Sequence, residues 1–474
     1  MAPHWEKPVP REVFGEAARQ TLASGIRLDP YLVWATLGRR ENPAGGSGGR
    51  MPIALELKRG GVTARQLAHE IDRHGWQDWI WMSALYRDPP DRLESTRFCT
   101  AHVTREFFTR LGTDLSGKIE RLTGMVTLPP AHGVRPHGRA ALSPVPACAF
   151  PARMIVGVCE EELSFFHRRH AQHSFGTDTR FHCFWNQNDA MNSARGLGYG
   201  GELLKNRMNA LLSDASPASS QALAHRPGLP AGPEERPPMI GVQLRHVTRD
   251  RTLRGGVGPS PDASLLDAVR YVAQRAHDIG GPRSHPLVSM NAGDVAWQQD
   301  GSSLIEGALD ELMDIGACSI ILPSGTDNWA PCRDTRTIIT QAVLQWPVPA
   351  GCATPGFAEI WLDGAGAEPD IDIQVVTPGG VGSAWLARGE IGVCMQGADR
   401  LCSVVHLGRG ARGARPMILV AVQPTAHRAP PGRWIIRLRN NARTAVTAFA
   451  WMSGDEAPED LPLAAPVHSR DGGD

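Results

Sequence analysis

Met154–Cys159 reads MIVGVC, an apolar run that stops against three consecutive acids, Glu160, Glu161 and Glu162. A half-buried strand would alternate apolar and polar residues, and a surface helix would repeat about every 3.6 positions. A short unbroken run does neither, and fits a strand covered on both faces of a parallel sheet. The pattern recurs at Met239–Leu244 (MIGVQL), Pro286–Met290 and Cys318–Leu322 (CSIIL). Between these runs lie helical segments. Ser264–Ile279 sets Leu265, Leu266, Ala268, Val269, Val272, Ala273 and Ala276 on one side, and Ser303 with Glu306 forms a capping box that opens a helix over Leu304–Asp314. The alternation predicts an α/β fold, a doubly wound parallel sheet with right-handed crossovers. Ligand sites of such sheets lie outside the carboxyl ends of the strands. The acids after Cys159, Asn291 and the segment Ser324–Asn328 (SGTDN) all fall at such ends.

Outward from this core, residues 151–334 read as the α/β domain. On the amino-terminal side, residues 1–50 read as a segment closed by the linker Asn42–Gly49 (NPAGGSGG). Residues 51–150 read as a small α+β region, with strands at Met51–Leu57, Arg97–Val103 and Met125–Leu128 and helices at Thr63–His74 and Thr104–Leu111. That region ends in a Pro/Ala/Gly-rich linker over 129–150. Residues 335–453 lose helical periodicity and predict a β-sandwich-like module, with strands at Glu359–Leu362, Ile371–Val376, Met417–Val422, Trp434–Arg439 and Ala445–Trp451. The acidic, Pro-rich residues 454–474 predict a disordered tail.

The bulk properties exclude several classes of function. The 474 residues carry 49 basic and 49 acidic side chains, so no charge imbalance points to nucleic acid or an anionic membrane. The basic run Arg409–Arg415 (RGARGAR) is too short to change this and reads as a solvated loop. Nine cysteines without a CxxC pair argue against a zinc ribbon and a thioredoxin motif and suggest reduced thiols. With no signal-like start and no membrane-length apolar run, the expectation is a cytoplasmic protein.

The strand-then-acid segment Met154–His170 resembles the first catalytic segment of the subtilisin-like serine peptidases, the subtilases. Thr179–Gln187 (TRFHCFWNQ), Tyr199–Leu212 (YGGELLKNRMNALL), Gly241–Leu244 (GVQL), Pro286–Met313, Leu322–Thr326 (LPSGT) and Pro424–Trp451 resemble a bacterial subtilase branch with a β-rich insertion, in the same order. The resemblance implies a subtilisin-like sheet and serine-type endopeptidase ancestry, with residues 51–150 similar to a propeptide of chaperone-like role. It implies no cofactor.

Serine peptidase chemistry needs a nucleophile, a base, an acid that orients the base, and donors for the oxyanion. Glu160 stands where the family has Asp, and its extra methylene carries the carboxylate about 1.5 Å further out, which is large against catalytic tolerances. The family's His-Gly-Thr-His segment has no counterpart between Leu212 and Met239, where His225 is the available histidine, in a Pro/Gly setting that suits a loop. Thr326 stands where the resemblance places the oxyanion Asn, with Asn328 two residues on. No Gly-Thr-Ser occurs in the chain. The resemblance therefore implies an inactive pseudopeptidase or truncated remnant that could bind peptides at the sheet crevice, the alternative being an active endopeptidase with an unconventional triad.

Other constellations read blandly. His167, His170 and His173 (HRRHAQH) have spacing that could converge on a metal, but HExxH is absent and the segment reads as an ordinary loop, so no metal is expected. Gly379–Gly382 (GGVG) lacks the strand-then-helix setting of a dinucleotide site and reads as a turn. Trp297, Trp329, Trp346, Trp361, Trp434 and Trp451 read as core rather than a stacking surface.

Overall fold

A computed structural model describes residues 2–6, 25–36, 50–124, 141–145, 154–166, 178–189, 194–214, 237–245, 262–291, 301–322, 332–364, 368–409 and 413–452. The linker 42–49, most of 129–150 and the tail 454–474 lie outside these residues. The architecture is mixed α/β, with several sheets and few helices.

The amino-terminal part contributes β1 (His4–Trp5), β2 (Arg27–Leu28), α1 (Pro30–Thr36), β3 (Met51–Leu57), α2 (Ala64–His74), β4 (Ile80–Trp81), α3 (Ala84–Arg87), β5 (Phe98–Val103), α4 (Arg105–Arg110) and β6 (Ile119–Gly124). Five strands form one sheet in the order β2-β6-β3-β5-β4, with β3 antiparallel to both β5 and β6. Helix α2 starts at a complete capping box of Thr63 with Gln66 and ends on Gly75 at φ 68, a left-handed position that glycine adopts without penalty. The sheet also contains Ile119–Gly124, which was not predicted as a strand, while the predicted strand Met125–Leu128 lies outside the described residues. Residues before the first linker do not stand apart, because β1 pairs with a strand near the far end of the chain and β2 pairs with β6.

The central sheet is built from β7 (Met154–Glu160), β8 (Phe181–Asn186), β9 (Gly201–Leu204), β10 (Met239–Gln243), β11 (His285–Asn291) and β12 (Ser319–Ile321), with helices α5 (Lys205–Asp214), α6 (Asp262–Gly280) and α7 (Leu304–Asp314). The order is β12-β11-β7-β10-β8-β9, parallel throughout except for the β8–β9 pair. α6 packs on β7, β10 and β11, while Met208 of α5 joins Val158, Phe181 and Phe184 on the opposite face. The capping box of Ser303 and Glu306 opens α7 at the predicted residue. Gly157 lets α6 approach closely, since a Cβ there would stand 2.5 Å from Val272 Cγ1. α6 differs from its predicted one-sided burial. It is sandwiched between the central sheet and the amino-terminal sheet, so Asp267, Arg270 and Arg275 are buried along with its apolar residues.

The remaining strands are β13 (Cys332–Ile338), β14 (Gln341–Val348), β15 (Gly356–Gly364), β16 (Ile371–Val376), β17 (Glu390–Gln396), β18 (Asp399–Arg409), β19 (Pro416–Val422), β20 (Gly432–Asn440) and β21 (Val446–Met452). They form two antiparallel sheets, β1-β17-β18-β19-β15-β21-β13 and β14-β20-β16, which share one apolar core. Of the six tryptophans read as core, Trp346, Trp361 and Trp434 are buried and Trp451 is partly exposed, while Trp297 and Trp329 lie outside the described residues. The other face of the larger sheet holds α1, through Tyr31 and Trp34 against Phe357 and through a hydrogen bond from Tyr31 Oη to the buried Glu359 at 2.7 Å.

Candidate functional site at the carboxyl ends of the parallel strands

Strand register brings polar residues into one row. Gln243 of β10 is opposite Asn186 of β8 on one side and Glu160 of β7 on the other, and Glu160 is opposite Asn291 of β11. Residues in register across a sheet project from the same face, so Asn186, Gln243, Glu160 and Asn291 form a polar edge just past the buried Trp185, Val242, Cys159 and Met290. Asn291 is exposed and the other three are partly exposed. Beyond the row, Ile321 and Leu322 at the end of β12 are 51% and 48% exposed, an apolar margin to a polar strip.

Amide side chains hold the backbone under this row. Gln187 Nε2 donates to Ser264 O at 3.0 Å, while Gln187 Oε1 accepts from Arg245 N at 3.0 Å. Asn188 Nδ2 donates to Leu244 O at 2.7 Å, and its backbone N–H donates to Asn186 Oδ1 at 2.9 Å. Leu244 N donates to Glu160 O at 2.8 Å. Three strand ends are thereby tied together, which holds the row in place.

Beneath the strip, Asp267 of α6 is 2% exposed and accepts from Thr100 Oγ1 at 2.5 Å, Tyr86 Oη at 3.1 Å and Tyr199 Oη at 2.7 Å. Burial pushes its carboxyl up to about 6, with the hydroxyl donors pulling the other way. His102 of β5 packs edge-on against Tyr199, with ring centroids 5.0 Å apart. Burial and then the neighbouring Arg245 and Arg50 push the His102 imidazole down to about 3, so it is neutral at physiological pH. A second buried group lies further along α6. Glu202 accepts from Tyr271 Oη at 2.8 Å and from Arg275 Nε at 2.9 Å and Nη2 at 2.5 Å.

Of the sequence-predicted site residues, Glu160 lies at the centre of the row. His225, Thr326 and Asn328 lie outside the described residues, as do His167, His170 and His173. A Ser–His contact does occur, between His285 Nε2 and Ser319 Oγ at 2.9 Å. It sits at the opposite end of β11, six residues before Asn291 and hence about 20 Å from Glu160 at ~3.3 Å per residue. That distance separates it from the acid. Among the described residues no group of three or more His, Cys, Asp or Glu could hold a metal ion, and no helix is long and apolar enough to cross a membrane.

Sequence reasoning missed Asn186, Gln243, Asp267, Tyr199 and His102. Asp267 carried a faint signal, an acid inside the apolar run Leu265–Val269. The amides carried none, because their meaning comes from strand register.

No family model matches the chain, and no curated protein does. Among solved structures, the CspB protease of Clostridium perfringens is similar at 14% identity and a TM-score of 0.46, covering 64% of this chain. The match spans 64% of that protease's length. The Yersinia pseudotuberculosis-derived mitogen is similar over 28% of this chain and 92% of its own, at 14% identity and a TM-score of 0.15. Likenesses of this size do not assign a family.

Proposed function

We propose that this protein is a subtilase-like peptidase homologue that holds an extended peptide over the carboxyl ends of its parallel, doubly wound sheet and does not hydrolyse it. The observation that carries this reading is the row Asn186, Gln243, Glu160 and Asn291 in register across four strands. Each amide offers a donor and an acceptor, the pair of functions a peptide backbone presents, and Glu160 adds one negative charge for a basic side chain or amino group. The crossing from β10 over β7 to β11 makes β7 the place where the winding changes side, where open α/β sheets bind ligands. The resemblance of Met154–Trp451 to subtilases supports a peptide over another ligand class. The substitution of Glu for Asp at position 160 supports binding without cleavage.

The test is a fluorescence anisotropy screen of labelled peptides against the full chain, with a fluorophosphonate probe and a protein substrate run in parallel. Binding that is weakened by Glu160→Arg, with no serine labelled and no cleavage, is the expected result. Specific labelling of one serine together with peptide cleavage would overturn inactivity, and peptide affinity indifferent to Glu160→Arg would overturn the site.

A further inference from the structure

Strand register in the β-sandwich sets two free thiols directly against each other. Cys394 of β17 is the antiparallel partner of Cys402 of β18, next to a register shift between Cys394 and Met395. Directly opposed antiparallel residues have Cα atoms about 4.5–5.5 Å apart, inside the roughly 4.4–6.8 Å span that a disulfide bridges. Both side chains are fully buried in the same core cluster, so they share the inner face of the sheet. The remaining described cysteines stand on other elements: Cys99 on β5, Cys159 on β7, Cys183 on β8, Cys318 before β12, Cys332 on β13 and Cys352 between β14 and β15.

We propose that Cys394 and Cys402 form a dithiol–disulfide couple that exchanges with a small-molecule disulfide of the glutathione class and, when oxidised, staples the β17–β18 hairpin. In the first step the Cys394 thiolate attacks one sulfur of the small disulfide and expels one thiolate, leaving a mixed disulfide on Cys394. The Cys402 thiolate then attacks the Cys394 sulfur and expels the second thiolate. Two electrons pass from the cysteines to the small disulfide, and the two protons they shed re-form two small-molecule thiols.

Cys394 is placed first because its strand β17 lies beside the two-residue β1, whereas β18 is enclosed between β17 and β19. Burial raises both thiols, that of Cys394 to about 11. Both are poor thiolates in the closed fold, so exchange proceeds through opening of the hairpin. The topology favours that opening, since β17 is flanked on its outer side by β1, a strand of two residues in which Trp5 pairs with Cys394. The bridge would close a short loop within the hairpin that also carries the amino-terminal strand.

The test equilibrates the full chain in glutathione buffers from fully reduced to fully oxidised, quenches with acid, unfolds in denaturant with an alkylating reagent, and maps the cysteines by mass spectrometry. Expected is a linked Cys394–Cys402 peptide pair, lighter than the sum of the two thiol peptides by two hydrogen atoms, that accumulates with oxidation while Cys99 and Cys183 stay alkylated. Retention of both Cys394 and Cys402 as alkylated thiols at the oxidised end, or pairing of either with a different cysteine, overturns the proposal. In Cys402→Ala, or in Cys402→Ser if the alanine variant does not fold, Cys394 should stop at the mixed disulfide with one glutathione. An unmodified Cys394 in that variant overturns the proposed order of attack.

Discussion

Two polar regions of this molecule sit within a few turns of each other and are built on opposite plans. In the seam between α6 and its neighbours, charges and hydroxyls are buried and bonded to one another: Asp267 takes three hydroxyl donors, and Arg275 meets Glu202 with side-chain exposures of 1% and 4%. In the row at the carboxyl ends of the parallel strands, amides and one carboxylate lie at the surface on a backbone held by Gln187 and Asn188. Burial decides the difference. Removing one partner of a buried group strands the other without water, whereas removing a surface group returns its site to solvent. The seam should therefore hold the amino-terminal sheet against the central one, and the row should contribute to binding more than to folding.

Mutations can break this contrast. The largest effect is expected from Asp267→Ala, which leaves the hydroxyls of Tyr86, Thr100 and Tyr199 without their buried acceptor and should cost about 3–5 kcal/mol in urea unfolding, as several orphaned groups add. A loss under about 1 kcal/mol would show that the seam relaxes and is not held by this carboxylate. Arg275→Met should cost about 3 kcal/mol by leaving Glu202 buried and unpaired, and the double variant Arg275→Met/Glu202→Leu should recover much of it. Equal losses in the single and double variants would mean that the apolar replacements do not pack.

A smaller effect concerns pH. Burial raises Asp267 from 3.8 to about 6, so its contribution to stability grows on acidification through that window and is lost as pH rises through 6. His102 is lowered from 6.5 to about 3, so its contribution is present above 6.5 and lost as pH falls below it. Between about pH 6 and 4 the two oppose each other. In Asp267→Asn only the histidine term remains, and stability should then fall more steeply with acid than in the parent, by up to about 1.4 kcal/mol per pH unit. Parallel stability–pH curves for the parent and Asp267→Asn would contradict that opposition.

The smallest effect on folding is expected at the row. Glu160→Gln should leave unfolding free energy within about 0.5 kcal/mol, while lowering affinity for basic peptides more than for neutral ones. A folding loss as large as that of Asp267→Ala would place Glu160 in the structural class and erase the contrast.

The reach of the sequence followed the range of the interactions involved. Helix α7 was legible to the residue because its capping box is local, Ser303 with Glu306. The strands β7, β10, β11 and β12 were legible because an unbroken apolar run has few other uses in a soluble chain. Strand β6 was not legible because Ile119–Gly124 (IERLTG) carries Glu120 and Arg121 in its first half, so its apolar signal is weak. In that strand, Arg121 bonds with Glu56 across the sheet and donates from Nη1 to Ser302 O at 2.7 Å before α7, contacts visible only once the chain is folded.

By itself, the sequence determined β7, β10, β11 and β12 with helices α6 and α7, the cap of α7 and the position of Glu160 at a strand end, all set by patterns spanning a few residues. Only the tertiary structure decided that α6 is buried on both sides, that Asn186, Gln243, Glu160 and Asn291 stand in one row, and that Cys394 faces Cys402. The physical reason is that register and layer packing join residues tens to hundreds of positions apart, and no local pattern of side chains encodes which of them will meet.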